Sequence, residues 1–287
     1  MNFIGATADL EERKQMITRI LAGVVLLPLL IVVAFWAPTI VLTVFVSVFS
    51  AVAVNELLYN TGLVKNHRMI VYTMAVAFLV PLWCYYGCSY PLALAGVVAF
   101  YMALFFELLL ANTKIPFSQA ALCMVGGLII PYLFAALVRT VMMDQGRYFI
   151  ILPFVAAFLS DIGAYFVGVT MGKHKLCPVI SPKKTVEGFV GGIGVAIIGM
   201  VVYALILQSA FGFKINYFYV AIYGILGSLA GVMGDLSFSV IKRQTGIKDY
   251  GHLIPGHGGI LDRFDSVILT APLMEALLVL IPFACKG

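Results

Sequence analysis

The stretch Ser239-Val-Ile-Lys-Arg-Gln-Thr-Gly-Ile-Lys-Asp-Tyr-Gly-His-Leu-Ile-Pro-Gly-His-Gly-Gly-Ile-Leu-Asp-Arg-Phe-Asp265 holds four cations, three carboxylates, two histidines and five glycines in 27 residues. Long apolar runs flank it on both sides. A water-soluble chain scatters its charges over its surface, whereas this one gathers them between greasy segments. That contrast decides the fold class.

The chain of 287 residues is 62% hydrophobic and 11% charged. An average globular domain is about 45–50% apolar and about 25% charged. The composition points to an all-α, polytopic integral membrane protein. Apolar runs of the length a spanning helix needs recur at about 18–36, 39–58, 69–87, 91–110, 119–142, 148–171, 189–209, 217–238 and 266–284. They predict about nine transmembrane helices, preceded by a short polar surface helix over residues 1–17. The first run is followed at once by others, so it does not read as a cleaved signal peptide. Residues 1–150 form an N-terminal group of transmembrane helices of open role, with dimer contacts as one use. Residues 151–287 form a C-terminal group that carries the polar loops.

Lysine and arginine placement sets orientation. With a cytoplasmic N-terminus, Arg139, Arg147, Lys214 and Lys286 are the only members of the 18 cations that fall on the far side. The loops 172–188 and 239–265 then face the cytoplasm, where soluble nucleotides are found. The net charge of +5 is read as positive-inside loops facing anionic headgroups, not as a nucleic-acid surface. The five cysteines make no framework and read as small apolar filler.

A carboxylate at mid-membrane depth costs about 2.5–3.5 kcal/mol on insertion scales and marks function. Asp161 lies in the sixth run and Asp235 near the end of the eighth. Glu56 and Glu107, close to predicted boundaries, read as interfacial, and Glu275 in the ninth run has no assignable partner. Asp235 stands between Gly231, Gly234, Ser237 and Ser239. Small residues allow close helix approach, and hydroxyls beside a carboxylate suit Mg2+, which takes one or two carboxylates plus substrate phosphate. Asp262, 27 residues on, is the candidate second carboxylate. The competing reading pairs both aspartates with nearby lysine or arginine.

In the loop 172–188, Ser181-Pro-Lys-Lys-Thr-Val-Glu-Gly188 sets Ser181, Lys183, Lys184 and Thr185 before a helix start, an anion-binding arrangement. With Lys242, Arg243, Lys248 and Arg263, the two loops carry more cation than topology requires, as several phosphates at once would use. Gly258 and Gly259 let backbone amides face an anion. Gly168–Lys173 is a near miss for a P-loop, with glycine spacing one short and His174 where Ser or Thr is needed. His257-Gly258-Gly259 has no G-x-S-x-G partner motif, which leaves acyl hydrolysis without a nucleophile.

The pattern Ser239-x2-Lys242-Arg243-x4-Lys248-Asp249-x-Gly251-x2-Ile254-x-Gly256-His257-Gly258-Gly259-x2-Asp262-Arg263-x-Asp265 resembles the signature of phosphatidate cytidylyltransferases, also called CDP-diacylglycerol synthases. Ser181-Pro-Lys-Lys-Thr-x-Glu-Gly188 and Ser160-Asp161 also look like that family. The resemblance covers residues from about 155 to 284. It implies that CTP and phosphatidic acid give CDP-diacylglycerol and pyrophosphate, in phospholipid biosynthesis. It also implies a nine-span fold, a homodimer, and Mg2+ on Asp235 and Asp262, with a monovalent cation, K+, sharing that site. The short N-terminus and single compact unit look bacterial, which places the protein in the plasma membrane.

On this reading Lys183, Lys184, Lys242 and Arg243 clamp CTP phosphates, while Arg263 and Lys248 hold the lipid phosphate. Asp249 and Asp265 orient these cations, Ser239 and Asp161 complete the polar lining, and His257 is a phosphate donor or a turn residue. The alternatives are a CTP-dependent lipid or polyprenol kinase, which would move the γ-phosphate, and an ion-coupled transporter using Asp161 and Asp235. A transporter predicts paired repeats, and none stands out.

Overall fold

The computed structural model describes residues 35–112, 114–251, 253 and 258–286. The polar segment 1–17 and nearly all of the first apolar run lie outside these residues, as does His257. The described residues form eight long helices and four short strands: α1 Thr39–Asn60, α2 His67–Tyr86, α3 Tyr90–Leu110, α4 Phe117–Met142, α5 Gly146–Met171, α6 Val186–Phe211, α7 Tyr217–Thr245 and α8 Leu261–Leu280. The strands are β1 Lys175–Cys177, β2 Ser181–Thr185, β3 Phe213–Ile215 and β4 Ala284–Lys286. Helices α1 to α7 are each long and apolar enough to cross a membrane. Helix α8 is 20 residues long but carries Asp262, Arg263, Asp265 and Glu275, so it stands apart from those seven.

Two predicted boundaries move. The eighth run, expected to end near 238, continues as α7 to Thr245. Lys-Arg-Gln sustains a helix well, and the turn comes only at Gly246, whose φ of +73° a left-handed C-cap requires. Ser239, Lys242 and Arg243 therefore sit on a rigid helix, not in a loop. The ninth run, expected from 266, begins at Leu261, so Asp262, Arg263 and Asp265 occupy the opening turns of α8.

The predicted loop 172–188 contains a small antiparallel hairpin. Strands β1 and β2 pair Lys175 with Thr185 and Cys177 with Ser181. Glu187 ties the hairpin base down. Its carboxylate accepts the Lys173 amide at 3.0 Å and pairs with His174 Nδ1 at 2.6 Å. Thr185 then caps α6, its Oγ1 accepting the Gly188 amide at 3.1 Å. At the opposite end of the bundle β3 pairs with β4, placing the 213–215 turn beside the C-terminal segment.

Glycine sets the closest helix crossings. A Cβ on Gly188 would lie 2.6 Å from the Ala164 carbonyl oxygen, bringing α6 against α5. One on Gly234 would lie 2.6 Å from the Asp265 carbonyl oxygen, bringing α7 against the first turns of α8. The second crossing holds Asp235 and Asp265 side by side.

The larger apolar cluster joins α1, α2 and α4 to Phe238, Tyr250, Leu261, Val267 and Ile268. The N-terminal helices thus pack directly on the polar stretch and on α8. A second cluster around Met200, Tyr223, Met274 and Phe283 fills the end near β3 and β4. Outward-facing Leu92, Val98, Met102 and Phe106 on α3, and Ile198 and Val202 on α6, are exposed. Such apolar belts are what lipid tails cover in a helical membrane protein.

Candidate active site

The site forms where the end of α7, the start of α8, the β1–β2 hairpin and the middle of α5 converge. Asp235 and Ser239 are four residues apart on α7 and share a face. Ser239 Oγ donates to Asp235 Oδ1 at 3.5 Å. From the hairpin, Lys184 forms an ion pair with the other oxygen of Asp235. Both side chains are about a quarter exposed. The charges of Asp235 and Lys184 act on Asp161 of α5, and Asp265 of α8 lies within reach of the charges on Asp235, Asp161 and Lys242. Three carboxylates from three helices therefore gather here, Asp161 and Asp235 beside Lys184 and Asp265 within reach of Lys242.

Asp262 is more deeply set. Lys242 Nζ lies 2.9 Å from its Oδ1, and the two side chains are 12% and 4% exposed. Its Oδ2 accepts the Tyr250 amide at 2.8 Å and the Gly259 amide at 3.0 Å. One carboxylate thus ties α7 to α8 and clasps both ends of the intervening loop. Gly258, at φ +85°, brings the backbone so near that a Cβ there would lie 2.9 Å from Asp262 Oδ2. Tyr250 is buried and its phenol donates to the Phe238 carbonyl at 2.8 Å. Burial, with Asp262 and Asp265 nearby, pushes that phenol above its ordinary pKa, so it remains a neutral donor. Lys242 also stands over the Tyr250 ring, 5.4 Å from its centre, within cation–π range.

Both aspartates singled out from the sequence are thus paired with lysines, as the competing reading had it. Arg243 Nε donates to the Ile180 carbonyl at 3.1 Å, joining α7 to the hairpin beside Ser181. Lys183, Lys248, Asp249 and Arg263 are exposed at this end of the bundle.

The donor set fits an ion held by few protein ligands. Mg2+ keeps waters and binds through one or two carboxylates plus substrate phosphate. Asp235 is half-buried and offers such a ligand. Both Asp262 oxygens accept hydrogen bonds while keeping further lone pairs. Among the described residues no group of three or more His, Cys, Asp or Glu side chains could hold a metal by itself.

Two carboxylates expected at the interface lie inside the protein. Glu56 is not interfacial: it is buried, and accepts the Ile260 amide at 3.0 Å and the Leu261 amide at 2.8 Å. Glu107 is also buried, accepting Asn66 Nδ2 at 3.2 Å and the Tyr72 hydroxyl at 3.3 Å. Glu275 has a partner, a two-pronged ion pair with Arg139 at 2.6 Å for each contact. The only sequence signal for these three was a carboxylate inside or beside an apolar run.

The chain matches the model of a cytidylyltransferase family over residues 17–281. It is 35% identical over 265 residues to the phosphatidate cytidylyltransferase of Staphylococcus saprophyticus, covering 92% of this chain and 97% of that protein. The phosphatidate cytidylyltransferases of Staphylococcus aureus and Staphylococcus epidermidis are each 33% identical over the same shares.

Proposed function

The chain belongs to the cytidylyltransferase family, and from that premise we propose that it transfers the cytidylyl group of CTP to phosphatidic acid. The products are CDP-diacylglycerol and pyrophosphate. The observation that carries this reading is the likeness to phosphatidate cytidylyltransferases along 97% of their length. The site chemistry supports it. Family membership favours neither the kinase nor the transporter reading.

The lipid phosphate is anionic at neutral pH and is itself the nucleophile, so no strong general base is required. The task is to bring two polyanions into line. Lys184 and Lys242, each held by an aspartate, supply positive charge at fixed positions on the hairpin and on α7. Arg243 and Lys183 extend that charge toward the CTP phosphates, and Arg263 and Lys248 serve the lipid phosphate. Ser181, Thr185, Ser239 and the amides of Gly258 and Gly259 offer neutral contacts. Asp161, Asp249 and Asp265 orient the cations. Asp235 and Asp262 would hold Mg2+, with K+ alongside, whose charge offsets that developing on pyrophosphate.

The reading carries nine spans with a cytoplasmic N-terminus, a homodimer and a plasma-membrane location. The β3–β4 pairing at one end and, at the other, the β1–β2 hairpin with the end of α7 and the start of α8 support the alternation it needs. A site at the cytoplasmic surface admits CTP from water and the lipid from the side.

The test is pyrophosphate release by purified protein in detergent. Release should require CTP, phosphatidic acid and Mg2+ together, and stop with EDTA. Release of CDP in its place would contradict the reading.

A further inference from the structure

We infer that Glu56 of α1 is a positioning residue for the site, acting through the start of α8 and Asp262. The first amides of a helix have no partner inside it. In α8 the amides of Ile260 and Leu261 donate to Glu56, and the Gly259 amide donates to Asp262. Two carboxylates therefore share three consecutive amides. One comes from the site and the other from a helix some 200 residues earlier. Both carboxylates stand at a helix N-terminus, where the helix dipole favours negative charge. Glu56 is 3% exposed, so no water can take over its bonds without rearrangement.

The arrangement extends to the loop between α7 and α8. Glu56 opens a π-helical turn, Glu56–Asn60, that ends α1. At the other end of that turn Asn60 Nδ2 donates to the Tyr250 carbonyl at 2.7 Å. Tyr250 and Gly259 are the same two residues whose amides Asp262 clasps. Gly251 and Gly259 both face the Glu56 carboxylate, and a Cβ on Gly251 would lie 2.5 Å from its Oε1. The turn thus holds Tyr250 and Gly259 from outside while Asp262 holds them from within. If Glu56 withdraws, the α8 terminus can shift, carrying Asp262 and with it Lys242.

The inference rests on the cytidylyltransferase reading for its kinetic arm only. The experiment compares wild type with Glu56→Ala, Glu56→Gln and Asn60→Ala in detergent. It measures CTP turnover and amide hydrogen exchange in peptides covering 247–261. Displacement of a catalytic group by about 1 Å costs on the order of 100-fold in rate. Glu56→Ala should lower kcat by about that factor while KM for CTP changes about threefold or less. Glu56→Gln, which keeps one acceptor, should fall between Ala and wild type. Exchange should quicken at 247–261 and stay unchanged in α2 and α3.

Should Glu56→Ala fail to accumulate, Asn60→Ala buries no new charge and should give the same split in milder form. Wild-type kcat in the variants overturns the inference, as does exchange that quickens through every helix. If wild type itself turns over no CTP, the activity reading fails, and the exchange arm alone decides: local opening upholds the inference and unchanged exchange overturns it.

Discussion

Lys242 Nζ lies 2.9 Å from Asp262 Oδ1, joining the last turns of α7 to the first turn of α8. The pair is almost fully enclosed, and breaking one partner of a buried pair costs about 3–5 kcal/mol. Asp262→Asn also sets an NH2 group against either Lys242 or the Tyr250 and Gly259 amides. We expect Asp262→Asn and Lys242→Met each to lower the unfolding temperature in detergent and to reduce turnover at least 100-fold. The double variant should lose less stability than the sum of the two, which a thermal double-mutant cycle reads directly.

Lys184 and Asp235 should behave differently, because both are partly open to solvent. Each side chain is only about a quarter exposed and the Lys184 nitrogen itself is buried, so the loss of stability should fall between the about 0–1 kcal/mol of an exposed pair and the about 3–5 kcal/mol of a buried one. Asp235→Asn should abolish turnover in protein that inserts and purifies normally. Lys184→Met should raise KM for CTP about tenfold or more, and Lys184→Arg should recover part of it. Unchanged kinetics in both variants would remove this pair from the site.

The neutral Tyr250 phenol gives an alkaline signature. Its pKa is raised on folding by burial and by Asp262 and Asp265. Above the ordinary tyrosine value of about 10 the unfolded chain loses a proton that the folded chain keeps. Stability attached to Tyr250 is therefore complete below pH of about 10 and declines as pH rises beyond it. Tyr250→Phe should flatten part of the fall in unfolding temperature between pH 9 and 11, a range set by that value. It should also lose about 0.5–1.5 kcal/mol near neutrality with the bond to Phe238.

Arg139 and Glu275 form a control. Their ion pair joins α4 to α8, away from the loops that carry the site. Arg139→Gln should lower the unfolding temperature and leave KM for CTP unchanged. A change in KM with no change in stability would show that the pair belongs to the site.

Much of the site was legible because its chemistry is local. The run 239–265 keeps its charged and glycine positions within 27 residues, and the Asp235–Ser239 contact follows from helical spacing. What escaped is non-local. Glu56 reaches amides 204 and 205 residues away, and Arg139 is 136 residues from Glu275. Lys184 meets Asp235 only because glycines let α5, α6 and α7 pack closely. An apolar run shows that a helix exists, but not which neighbour its one polar residue faces. The helix ends at Thr245 and Leu261 differ from the hydropathy boundaries for a related reason. Hydropathy marks where a helix leaves lipid, whereas capping and tertiary bonds mark where it stops.

Isotope position reports which group of CTP reaches the lipid. Purified protein in detergent is given phosphatidic acid, Mg2+ and CTP labelled at either the α or the γ phosphate. Cytidylyl transfer sends α label into the lipid fraction while γ label leaves as pyrophosphate. Entry of γ label into the lipid would contradict it, showing phosphate transfer in place of cytidylyl transfer.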